Sequence, residues 1–124
     1  MNGAPQPRLR FGRGMRLKQG RDFLRLKRQG RRLSCGCFIA NWQALPAGSP
    51  TRLGVVTSKA IGNAVVRARA RRLLREVFRL HQHDLAQPVD LVLVAQRGIV
   101  GLGRVALEER YTQMLARTGL SKSA

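Results

Sequence analysis

Arg67, Arg69, Arg71, Arg72, Arg75 and Arg79 are interleaved with aliphatic residues in a stretch whose spacing suits one helix. On a wheel of about 100° per residue, Val66, Ala70, Leu73, Leu74, Val77 and Leu80 share one apolar arc that faces the sheet, while Phe78 falls within the edge of the next arc and can flank the core. Arg67, Arg71, Arg72, Arg75 and Arg79 fall on the next arc as a single cationic ridge, and Arg69 takes the opposite shoulder beside Glu76. A guanidinium is a planar fork that grips phosphate at two points and stacks on bases. A merely solvated helix face mixes signs to gain pairing, whereas this ridge is arginine almost alone. Like charges four apart weaken an isolated helix by about 0.2–0.5 kcal/mol per pair, a cost that bound phosphate would remove. The chemistry indicated is polyanion binding. With about six phosphate contacts, affinity for a duplex would fall on the order of a thousandfold between roughly 50 and 200 mM salt.

The residues that could break a phosphodiester bond are less well disposed. Metal-dependent hydrolysis needs clustered carboxylates, and Asp22, Glu76, Asp84, Asp90, Glu108 and Glu109 form no compact constellation along the chain. His81 and His83 suit acid/base chemistry, but they sit at the fraying end of the long helix and, if helical, point roughly 200° apart. The same divergence keeps them from joining Cys35 and Cys37 as zinc ligands. No catalytic residue and no metal site is therefore expected in the protein itself. Cys35 and Cys37, two apart in a predicted strand, read as reduced packing thiols and not as a disulfide framework.

The elements that must carry these residues follow from composition and punctuation. The chain has 124 residues, enough for one domain, and its 44% hydrophobic content is that of a folded protein. Its 24 Lys and Arg against 6 Asp and Glu give a charge of +18, a field that attracts nucleic acid. No apolar run is long enough to span a membrane, and the first ten residues lack the apolar segment of a secretory signal, so the cytoplasm is the expected compartment. Glycines, prolines and arginines mark residues 1–14 as a basic flexible arm. "RDFLRLKRQG" reads as a short helix in which Asp22 can cap and Phe23 and Leu26 share a side. "LSCGCFIANWQAL" reads as a strand ended by a turn-rich loop, and "RLGVVTS" as a second strand. Asn63 is a natural N-cap for the long helix. "DLVLVA" reads as a third strand, buried on both faces, and a last helix runs to Gly119. The fold class is α/β, an α+β sandwich of order α-β-β-α-β-α. It has one mixed central sheet packed by about three helices, in a single domain over 15–119 with a short tail at 120–124.

The segment "TSKAIGNAVVRARARRLLREVFR" strongly resembles the signature of the bacterial ribonuclease P protein subunit. Ser58, Lys59, Gly62, Asn63, Ala64, Val65, Arg67, Arg69, Arg72, Arg75 and Glu76 match it, and Arg71 keeps the charge of a lysine. "RLKQGRDFLRLKRQGRR", "TRLGVVTSK" and "VDLVLVAQRG" resemble the family's first helix, second strand and third strand. The resemblance implies a left-handed crossover, against the general rule. It further implies a protein that assists a catalytic RNA in cutting the 5′ leader from precursor transfer RNA. In that scheme the chemistry belongs to the RNA and its magnesium ions, and a cleft between the arginine helix and the sheet receives the leader.

On this resemblance Lys59, Asn63, Arg67, Arg69 and Arg72 contact the catalytic RNA, and Arg71 and Arg75 border the leader cleft or the RNA beside it. Phe23, Phe38 and Asn41 belong to the cleft, where Phe23 would either stack on a leader base or pack into the core. Four positions depart from the family pattern. Ala68 replaces an asparagine between two arginines, Ala60 replaces a lysine, Lys27 replaces a helix aromatic, and Asn41 stands near a usual tyrosine. The cleft is thereby less aromatic, with Trp42 or Phe38 as partial substitutes.

Overall fold

The computed structural model describes residues 13–17 and 20–122, so the arm expected over 1–14 lies almost wholly outside the described residues. The chain forms α1 (Gly20–Gln29), β1 (Arg31–Ser34), β2 (Phe38–Ala44), β3 (Arg52–Val56), α2 (Ala64–Leu80), β4 (Val89–Ala95) and α3 (Arg104–Thr118). This is the expected α+β class and order, with one refinement. The stretch read as a single strand folds back on itself: β1 and β2 pair antiparallel, from Arg31 opposite Trp42 to Ser34 opposite Ile39. Gly36, at φ +83°, makes the reversal possible, since a residue with a Cβ rarely adopts that backbone. Cys35 and Cys37 thus flank a turn instead of sharing a strand face. Both are free, and burial raises both thiols above their ordinary value, as packing groups require.

The sheet runs β1-β2-β4-β3, with β2 and β4 antiparallel and β3 and β4 parallel. A parallel pair needs a crossover, and α2 supplies it. Beyond β3, Arg16 bridges to Leu53 and the Leu17 N–H donates to the Leu53 carbonyl at 2.8 Å, covering that edge. One face of the sheet (Phe38, Ala40, Trp42, Leu53, Leu91, Leu93) packs with α2 and α3 into the main core. The other face carries Val92, Val56 and Val94, with Leu26 and Phe23 of α1 above them and Leu17 alongside. β4 is thereby buried on both sides, as its unbroken apolar run demands. On α2 the buried residues are Ala70, Leu74, Val77 and Phe78, so Phe78 is a full core member. The tail expected over 120–124 begins inside the packed structure. Leu120 is buried, its carbonyl accepts from the Ala86 N–H at 2.8 Å, and the Lys122 N–H donates to the Asp84 carbonyl at 2.7 Å.

Candidate nucleic-acid interface

The launch of α2 is set by two residues of the signature. Gly62 has φ +148°, and a Cβ there would sit 2.9 Å from the Val66 side chain, so only glycine fits without displacing the helix. Asn63 follows in extended conformation, and its Oδ1 accepts the Val66 N–H at 3.0 Å, capping the first turn. Lys59 stands exposed in the short turn that precedes this corner.

Along α2, Arg71 Nη1 donates to Thr57 Oγ1 at 2.7 Å, fastening the ridge to the end of β3. A groove of about 730 Å³ lies on this side, lined by Arg16, Arg72, Leu73, Arg75, Glu76 and Arg79. Partial burial, then the neighbouring Arg16 and Arg71 cations, push Arg75 below the usual guanidinium range. Bound anion charge would relieve that crowding. Arg79 is different: its Nε and Nη2 donate to the two carboxylate oxygens of Glu76 at 2.8 and 2.9 Å. Glu76 therefore pairs with Arg79, one turn along, and not with Arg69, because residues three apart on a helix are surface neighbours. Among the described residues no carboxylate lies at ion-pair distance from Arg67, Arg69, Arg71, Arg72 or Arg75. Arg69 occupies the other shoulder, over a recess it shares with Val66, Ala70, Ile99 and Val100.

The cleft expected between α2 and the sheet is filled by the core. The open groove, of about 480 Å³, lies on the opposite face: α1 contributes Phe23 and Lys27, and the sheet contributes Arg32, Ile39, Asn41, Val56, Val92 and Val94. Asn41 lines this groove and not a cleft beside α2. Phe38 lines neither: it is 0% exposed in the main core, and Trp42 is on the same side. Side chains alternate along β2, so Asn41 on the groove face puts its neighbours Ala40 and Trp42, and in turn Phe38, on the core face. Phe23 does two things at once. Its ring lies so close over Gly54 that a Cβ there would be 2.4 Å away, yet it remains half-buried and lines the groove. Arg71 and Arg75 do not line that groove: Arg71 is held by Thr57 just past β3, and Arg75 lines the groove beside α2.

Sequence reasoning passed over the group that holds α1 in place. Asp90 is 0% exposed and accepts from Arg52 Nε at 2.9 Å, Arg52 Nη2 at 2.8 Å and Arg25 Nη2 at 2.6 Å. Arg25 also donates to Gln43 Oε1 and reaches Asp22 at 3.5 Å. The bond to Asp90 raises Arg52 above its usual value. The signal was available: a lone aspartate inside a strand buried on both faces must find cationic partners.

Taken together, these features define a class: a basic α+β sandwich with an arginine-bearing crossover helix and a groove on the far side of its sheet. The family model described as Ribonuclease P matches residues 11–119. The ribonuclease P protein component of Desulfatibacillum aliphaticivorans is 40% identical over 87 residues, covering 70% of this chain and 73% of that one. That of Syntrophomonas wolfei is 33% identical over 105 residues, covering 85% and 87%. Among solved structures, the RNase P protein of Staphylococcus aureus superposes with a TM-score of 0.78 at 23% identity, covering 87% of this chain and 98% of that one. That of Thermotoga maritima gives 0.73 at 25% identity, covering 82% and 96%. The chain belongs to the bacterial ribonuclease P protein family.

Proposed function

We propose that this protein binds the catalytic RNA of ribonuclease P through α2 and holds the 5′ leader of precursor transfer RNA in the groove under α1. The observation that carries the reading is the set of α2 guanidiniums left without a carboxylate partner, on a chain of this family. Lys59, Asn63, Arg67, Arg69 and Arg72 are assigned to the RNA subunit. Arg71 and Arg75 are assigned to the junction between that RNA and the leader groove, with Phe23 and Asn41 inside the groove.

Bond cleavage is assigned to the RNA. Among the described residues no cluster of three or more His, Cys, Asp or Glu is placed to hold a metal ion. Asp90 and Glu76 are already occupied by arginines, so the donor set does not fit a magnesium site and the magnesium is assigned to the RNA subunit. What the protein adds is cationic charge where two polyanions meet, reducing the repulsion that magnesium must otherwise screen. No helix among the described residues is long and apolar enough to cross a membrane, and the cytoplasm is the assigned compartment.

The test is reconstitution with a bacterial ribonuclease P RNA and precursor transfer RNA. The protein should restore cleavage at a magnesium concentration where the RNA alone is nearly inactive, and the protein without RNA should not cleave. Magnesium-dependent cleavage by the protein alone, or failure to rescue alongside tight ribosome association, would overturn this reading.

A further inference from the structure

The groove under α1 does not stop at the rim of the sheet. Arg32 lines it and also lines a second recess, of about 380 Å³, together with Arg31, Leu33, Trp42, Arg117 and Thr118. β1 is the outermost strand on this side. Successive side chains leave a strand on opposite faces. Arg32, opposite Asn41, therefore stands on the α1 face, and Arg31, opposite Trp42, on the α2 and α3 face. The two arginines straddle the edge, and Arg117 from the last turn of α3 adds a third cation on the far side. At Cys35 burial is the main influence and raises the thiol, with Cys37 adding to it, while Arg117 and Arg110 act in the opposite sense from nearby.

Among the described residues, none of Arg31, Arg32, Arg110 and Arg117 has a carboxylate at ion-pair distance. This edge is also the end of the sheet opposite to β3, where Arg16 and Arg71 attach. An open strand edge invites pairing with another strand, but a second copy docked on β1 would bring its own arginines against these. A phosphate chain would neutralise them instead.

We propose that the single-stranded leader, having crossed the α1 groove, continues over β1 into a basic subsite formed by Arg31, Arg32 and Arg117. The subsite takes backbone phosphates and so extends the length of leader the protein holds. This rests on the leader reading of the groove, and the experiment separates the two. The holoenzyme is reconstituted with precursors whose leaders are about four and about twelve nucleotides long, one at the bottom and one in the upper half of the roughly 4–16-nucleotide range of single-strand sites. Arg31→Gln with Arg117→Gln should weaken the long-leader precursor on the order of tenfold and leave the short one unchanged. Its salt dependence should flatten by about 0.7 in log–log slope for each phosphate that is no longer neutralised. Trp42 lines the recess and is the chain's sole tryptophan, so its fluorescence should change with the long leader only.

Equal weakening at both lengths, or none, overturns the subsite. Weaker assembly with the catalytic RNA in the absence of precursor also overturns it, since the surface would then serve that RNA. Lys27→Ala reports on the groove: it should weaken both leaders. If it weakens neither while the arginine pair remains length-selective, the groove reading falls, and with it the path across the groove, leaving only leader contact at the edge. Both arginines are exposed, so a folding defect is not expected, and matching thermal melts verify that the variants are folded.

Discussion

Asp90 shows how a single side chain can decide whether a site exists. It joins α1, β3 and β4 through Arg25 and Arg52, and without it the two cations would keep only Asp22, 3.5 Å from Arg25, as a carboxylate at ion-pair distance among the described residues. Removing one partner of a buried ion pair is costly because the other charge stays behind, typically about 3–5 kcal/mol. Here the arginines keep some solvent, so Asp90→Ala is expected at about 3 kcal/mol, read as a shift in denaturant midpoint. A loss below about 1 kcal/mol would mean that the network does not anchor α1. Asn63 raises a different question, because capping and RNA contact predict the same loss on truncation. Asn63→Ala should cost about 1 kcal/mol of stability, and Asn63→Ser, which keeps the cap, should restore it. If Asn63→Ser restores stability but not RNA affinity, the amide itself touches RNA. The cap is legible in the sequence because its signal is local. Which arginines meet Asp90 is not legible, because they lie 38 and 65 residues away.

Among the elements, α2 is legible nearly residue by residue, since its periodicity is long and its apolar arc faces one partner layer. The β1–β2 hairpin is hidden for a definable reason: the alternation runs straight through Cys35–Cys37, and only the positive φ of Gly36 marks the reversal. The face assignment of Phe38 fails for another reason: it stands three residues from Asn41 in β2, so the two leave the strand on opposite faces and cannot both line the groove. The C-terminus of α2 carries its own titratable joint to α3. His81 Nδ1 lies 2.8 Å from Asp84 and its Nε2 lies 2.9 Å from Glu108, with Arg104 3.7 Å from Glu108 and the Tyr111 ring 6.1 Å away. Burial works against the charged ring, but the two carboxylates outweigh it and the His81 pKa is raised above 6.5. The contribution to stability is thus fully present below that value and is lost as pH rises through the folded-state pKa. The unfolding free energy measured in urea should fall as pH rises above about 6.5 and through the raised folded-state pKa, by less than about 1 kcal/mol because the group is partly solvated. His81→Gln should abolish that slope, and an unchanged slope would assign it to other groups.

At the scale of the whole molecule, a charge of +18 is carried on a fold whose few carboxylates are largely spent on internal ties. Composition alone indicates a polyanion partner, and the wheel gathers five arginines of α2 on one ridge. It does not show that Arg79 is held by Glu76, that Arg16 joins the ridge from beyond β3, or that the groove lies on the sheet's other side. Those facts depend on strand order and on which layer fills which face. The central claim, that the α2 arginines serve RNA and not the fold, is tested most directly by Arg67→Ala with Arg72→Ala. Affinity for the ribonuclease P RNA should fall on the order of tenfold or more with a flatter salt dependence, while unfolding free energy should stay within about 0.5 kcal/mol. Unchanged RNA affinity, or a loss of stability as large as the loss of binding, would contradict it.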